Sequence, residues 1–269
     1  MEGNSLFETE PGRLPYRLAR RSRTHRPLIA GAAVVTCGYL VMTAVLVALG
    51  LILTNLLLDG AVGRWDASAD RWFFRARTPT LNTLTEWGSL LGDTFTVIGI
   101  AAVVVIVLAI GRHWAQIAFL VTALVLEVTS FVTTTFVIDR ERPTVPHLEP
   151  GPPTSSFPSG HAAASIVLYV GIAIITTSLV RDRVIRVVVW VVGVGVPIAV
   201  LLSRLYAGMH HPTDMVGSVV GAFGCMAFAL LATRTGVAVH EANEAVEART
   251  AAAASPAASG GAAGVRVTP

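Results

Sequence analysis

Lysine is absent from this chain: all twenty basic residues among its 269 are arginine. Charge of either sign is scarce too, 14% of residues, against roughly a quarter in an ordinary soluble domain. Cysteine occurs twice, at Cys37 and Cys225, inside apolar runs and without CxxC spacing, so no disulfide framework or cysteine metal site is implied. Also missing is the short-range alternation of apolar and polar residues that marks a membrane β-barrel. In its place stand continuous apolar runs, 53% hydrophobic residues and a mean hydropathy of +0.65. Most of these runs are long enough to cross a bilayer as helices, so the chain reads as an all-α, polytopic membrane protein.

Six spans are expected, over 28–58, 95–110, 114–138, 159–179, 187–202 and 212–233. Residues 1–26 make a polar, basic segment expected to be mobile, and 27–234 form the membrane domain. The tail, 235–269, is Ala/Gly-rich from 240 onward, cannot bury a core, and is expected to be disordered. The first apolar run far exceeds the ~7–15 residues of a signal-peptide core and reads as an uncleaved span. Between the first two spans, Trp65, Trp72, Phe73, Phe74 and Trp87 are interleaved with charges, as in a segment lying among headgroups.

Arginine placement sets the expected orientation. Arg13, Arg17, Arg20, Arg21, Arg23 and Arg26 crowd the segment before the first span. Such a cluster beside a span suits anionic lipid better than nucleic acid, and no nucleic-acid partner is expected. With six spans, this cluster, Arg112, the turn "VRDRVIR" (180–186) and Arg234 share one side, which makes both termini cytoplasmic. Arg64, Arg71, Arg75 and Arg77 break the pattern, though Asp59, Asp66 and Asp70 are interleaved with them.

This topology puts three polar clusters on the opposite, outer face: "RERP" (140–143), "PSGH" (158–161) and "SRLYAGMHHPTD" (203–214). Ser159 is a natural N-cap for the fourth span, Gly160 permits close backbone approach, and the free N–H groups there favour an anion facing His161. Arg142 and Arg204 carry forked donors suited to phosphate oxygens. Taken singly, each has a plainer explanation, a cap or an arginine snorkelling to the interface; together on one face they point to a site. Asp214 follows His210 by four residues and His211 by three, and spacing alone does not choose which imidazole it orients. Glu127, deep in the third span, is a further ionisable residue where charge is costly.

With those residues in view, the sequence resembles the type 2 phosphatidic acid phosphatase (PAP2) superfamily of membrane lipid phosphatases. Its signature is Lys-x6-Arg-Pro, Pro-Ser-Gly-His and Ser-Arg-x5-His-x3-Asp. Here Arg142-Pro143, "PSGH" at 158–161, and Ser203-Arg204 followed by His210 and Asp214 take those places. The resemblance implies a six-helix PAP2-type bundle with His210 as nucleophile, Asp214 orienting it and His161 as acid. It further implies that Arg142, Arg204, Ser159 and Gly160 hold the phosphate. One departure stands out: the family lysine falls on Thr135, which brings no charge, and Arg140 is the neighbouring cation expected to lean in towards the phosphate.

The function so implied is metal-independent, cofactor-free hydrolysis of a lipid-linked phosphate or pyrophosphate through a phosphohistidine. A polyprenyl diphosphate or phosphatidic acid would be the membrane substrate. The alternatives are a PAP2-type phosphotransferase, a catalytically impaired homologue that binds lipid phosphate, or a metal-binding membrane protein using His161, His210, His211 and Asp214. Nothing in the sequence bears on oligomeric state.

Overall fold

The computed structural model describes residues 6–10, 12–21, 26–151 and 154–254. Among these residues all regular structure is helical: α1 (Leu14–Arg21), α2 (Pro27–Ile52), α3 (Ala61–Arg75), α4 (Pro79–Leu90), α5 (Thr94–Ile110), α6 (Trp114–Val137), α7 (Gly160–Ser165), α8 (Gly171–Leu179), α9 (Arg183–Tyr206) and α10 (Pro212–Ala254). A π-helical turn, Leu53–Leu57, extends α2, and another, Ile166–Val170, joins α7 to α8. Pro27–Leu57 and Gly160–Leu179 are thus continuous rods.

Helix starts follow from local chemistry. Thr78 accepts a hydrogen bond from the Leu81 N–H ahead of Pro79, Asp93 caps α5 through the Phe95 N–H, and Asp182 caps α9 through Ile185. Five helices are long and apolar enough to cross a bilayer, and α4 with α5, bent by 48°, brings the count to the expected six if that pair is one broken span. Where helices meet, Phe119, Leu120, Leu126, Val167 and Leu168 are fully buried. Facing outward, Val103 and Ile106 of α5 and Val187 and Val191 of α9 stand exposed. Hydrocarbon solvates that surface, and the continuous apolar composition of these helices reflects it.

Two expectations are corrected. Residues 12–21 are not a mobile arm: α1 lies along α10, Arg234 donates to the Glu8 carbonyl (2.9 Å), and Thr9 bonds Glu241. Nor is the tail disordered from 240, since α10 continues to Ala254. Ala, Glu and Arg are strong helix formers, and a helix already running can be extended by propensity without a core. Arg23 and residues 255–269 lie outside the described residues.

The end of the bundle where α9 stops is tied together by Arg77, which follows α3. It donates to the Tyr206 carbonyl at the end of α9 (2.9 and 3.1 Å) and to the Pro146 carbonyl (2.6 Å). Tyr206 in turn donates to Asn82 Oδ1 (2.9 Å). This clamp explains one of the arginines that broke the charge pattern. Its fit leaves no room at Gly208, whose φ of +73° suits glycine and where a Cβ would meet Val145 and the Arg77 guanidinium at about 3 Å.

Phe7 is buried and meets Phe119 edge-on, ring centroids 5.6 Å apart. Phe7→Ala should cost about 3 kcal/mol, seen as a lower unfolding temperature of the detergent-solubilised protein.

Candidate active site

Four helix ends and one loop meet at one end of the bundle. The end of α6 leads into the loop carrying Arg140 and Arg142; α7 begins at Gly160; α9 ends with Ser203 and Arg204; α10 begins at Pro212. The loop is held down by backbone bonds, Ser156 N–H to the Arg140 carbonyl (2.9 Å) and Leu148 N–H to the Ala207 carbonyl (3.1 Å). The three polar clusters expected on one face are thus adjacent in space.

At the centre lies a buried ionic chain. Arg140 bonds Asp214 Oδ1 through Nη1 and Asp66 Oδ2 through Nη2 (2.7 Å), and all three side chains are at most 2% exposed. Asp66 also accepts from the Thr213 hydroxyl (2.6 Å). Asp214 Oδ2 accepts the His211 backbone N–H (2.8 Å) and lies 3.5 Å from His210 Nδ1. Burying charge is tolerated because each is compensated by a partner of opposite sign. Arg140 was expected beside the phosphate; instead both its terminal nitrogens are engaged by carboxylates, and it fixes Asp214.

The two adjacent histidines part company here. His210 Nδ1–H donates to the Ser156 carbonyl (2.7 Å), which sets the tautomer and leaves Nε2 for the cavity. Asp214 is the more distant partner, so the Ser156 carbonyl holds the ring alongside the carboxylate that the resemblance implied. Burial pulls the His210 pKa below its ordinary value, and Arg204 and Arg142 add to this, while the Asp214 hydrogen bond and charge oppose it. His211 turns the other way: Nδ1 meets Asp70 Oδ2 at 2.7 Å and Nε2 faces the Glu141 carbonyl at 3.3 Å. Burial depresses its pKa, but the Asp70 hydrogen bond and the Asp214 and Asp70 charges outweigh that and raise it overall.

His210, His161, Arg142, Arg204 and Gly160 line one cavity of about 410 Å³. Arg142 donates to the Met209 carbonyl (2.8 Å), just before His210. Burial, then the neighbouring Arg204, lowers its pKa from the usual guanidinium value, with Asp214 opposing. Arg204 Nη1 donates to Ser89 Oγ (2.6 Å) and Glu149 Oε1 (2.7 Å). His161 also borders a second, polar cavity of about 430 Å³, which Glu149, Glu86 and Asp93 line.

Two expected contributors stand differently. Ser159 is the N-cap residue of α7 by position, but its hydroxyl makes no capping bond and is buried without a partner. The Ser159 N–H donates to Ser218 Oγ instead (2.9 Å). Thr135 is bonded to the Val132 carbonyl of its own helix (2.8 Å) and lines neither cavity. No group takes over the lysine's place from that position.

Sequence reasoning passed over Asp66, Asp70, Ser89 and Glu149, reading the two aspartates only as counter-charges in a headgroup-level segment. Their spacing of four residues, which puts both carboxylates on one helix face, was the available signal. Among the described residues no group of three or more His, Cys, Asp or Glu side chains is arranged to hold a metal ion.

Histidines, a carboxylate and two guanidinium groups are thus gathered at one end of a helical membrane bundle. Residues 116–237 match the family model of the PAP2 superfamily. The structure of a transmembrane PAP2 type phosphatidylglycerolphosphate phosphatase from Bacillus subtilis superposes with a TM-score of 0.58 at 20% identity, covering 77% of this chain and 94% of that one. LpxE of Aquifex aeolicus gives 0.47 at 24% identity, over 62% and 94%. The first of these shows the shared fold. No curated protein matches the sequence. Asp66, Asp70 and Ser89 all precede the matched segment.

Arg140→Ala would leave Asp66 and Asp214 as unpaired buried carboxylates and should destabilise the protein by about 3–5 kcal/mol, read from thermal unfolding in detergent.

Proposed function

We propose that this protein is a membrane phosphatase acting on a lipid-linked phosphate or pyrophosphate at the outer face, with both termini cytoplasmic. The observation that carries the reading is His210, whose Nδ1–H is anchored on the Ser156 carbonyl while its ring borders a cavity shared with His161, Arg142 and Arg204. That arrangement suits in-line phosphoryl transfer. The two guanidinium groups and the backbone at Gly160 neutralise equatorial oxygens, the main catalytic requirement of this chemistry.

In the first step His210 Nε2 forms a bond to phosphorus as the bond to the leaving oxygen breaks. His161 gives that oxygen its proton. In the second step His161 takes a proton from water, the water oxygen bonds phosphorus, and the N–P bond breaks to restore His210. The positive charge arising on the imidazole is stabilised by the Ser156 carbonyl and by Asp214. Asp214 in turn is held by Arg140. The substrates in view are a polyprenyl diphosphate, phosphatidic acid or a related lipid phosphate. No step calls on a metal, and turnover should survive a strong chelator.

Phosphate release from phosphatidic acid and polyprenyl diphosphate in detergent tests this reading. His210→Ala should abolish turnover, whereas His211→Ala, whose ring faces Asp70 rather than the cavity, should retain much of it. Equal losses would remove the assignment of His210, and a wild type that releases no phosphate would remove the phosphatase reading. A further expectation concerns pH. His210 attacks as the neutral imidazole and its pKa is lowered. The acid limb of kcat/KM should therefore fall below the ordinary histidine value of about 6.5, with activity lost as pH drops through it.

A further inference from the structure

Glu127 is unused by this mechanism. Its side chain sits in α6 amid the membrane domain, 3% exposed, and neither carboxyl oxygen has a hydrogen-bond partner. It is also part of the wall of the cavity that holds His161, His210, Arg142 and Arg204. Buried polar groups are ordinarily satisfied, and a carboxyl left open into a cavity that also borders the reacting groups calls for a ligand. An uncompensated carboxylate charge is costly there. The form that fits is the neutral acid, with one O–H to give and one carbonyl to receive.

The shape of the cavity indicates what that ligand is. Below the histidines its walls are apolar, and Ile98 of α5 with Val128 and Val132 of α6 are exposed on the lipid side, so the cavity opens sideways into the bilayer. The depth of Glu127 can be gauged from Gly160, where an added Cβ would come within 2.9 Å of the Phe131 ring. Phe131 is thus level with the start of α7. Glu127 lies one helical turn further in along α6, about 6 Å. In a glycerolipid phosphate the ester or hydroxyl oxygens of the glycerol lie a few bonds below the phosphorus, at a comparable depth. A polyprenyl phosphate offers only hydrocarbon there.

We propose that Glu127 is a specificity-determining residue that hydrogen-bonds a glycerol ester or hydroxyl oxygen, selecting glycerolipid phosphates over polyprenyl ones. The inference rests on the phosphatase reading, and deepens it by naming the substrate class. For a polyprenyl chain the same carboxyl is an unpaired polar group facing hydrocarbon. Selection thus has an attractive and a repulsive component.

The test is the ratio of kcat/KM for dioleoyl phosphatidic acid to that for undecaprenyl diphosphate, measured on the full chain in mixed micelles. The wild type should favour phosphatidic acid. Glu127→Leu should lower the ratio by about tenfold or more, and the unbranched Glu127→Met should do the same if the leucine variant is not monodisperse. Glu127→Gln, which keeps a donor and an acceptor, should stay within about threefold of wild type. A ratio unchanged in the apolar variants, with both activities falling together, would overturn the inference. So would a wild type that hydrolyses undecaprenyl diphosphate but not phosphatidic acid, while leaving the phosphatase reading intact. Failure on every lipid phosphate would instead sink that reading itself.

Discussion

Arg140 between Asp66 and Asp214 is the interaction on which the cavity end of the bundle depends. It joins three pieces of chain: the surface helix α3, the loop after α6, and the first turn of α10. Through Asp214 the same charges reach the His211 backbone and the flank of His210. A compensated buried ion pair adds little to stability compared with an apolar replacement, but removing one member is severe. Its value here is geometric. It fixes the register in which the loop lies over the helix starts, and hence where the cavity is.

Much of the fold was readable from the sequence because lipid enforces a simple rule. Backbone groups must be satisfied within each crossing, so a long apolar run has one available structure. Spans expected at 28–58 and 114–138 appear as Pro27–Leu57 and Trp114–Val137. The same rule says nothing about helix outside the bilayer. The extension of α10 to Ala254 and the packing of α1 along it therefore escaped a reading that looked only for buried apolar faces.

Within the site, legibility followed chain distance. His161, His210, Arg142 and Arg204 belong to short motifs at or near helix ends, and they line one cavity. Arg140 was misassigned because its partner Asp66 lies 74 residues away, in a segment whose charges looked like ordinary headgroup contacts. Ser159 illustrates a different limit: position made it a cap, but Ser218 from α10 takes its N–H and no bond reaches its hydroxyl. Thr135 remains in its helix, bonded to Val132, and the positive charge on the cavity rests with Arg142 and Arg204.

That both of those cations are guanidinium groups has a consequence for how the protein responds to its surroundings. A guanidinium keeps its proton throughout the pH range in which a membrane exists, even when burial weakens its hold. Imidazoles do not. The cavity therefore carries a permanent half and a switchable half. Under the proposed mechanism, acidification silences His210 while the two guanidinium groups keep their charge, leaving an occupied but idle site.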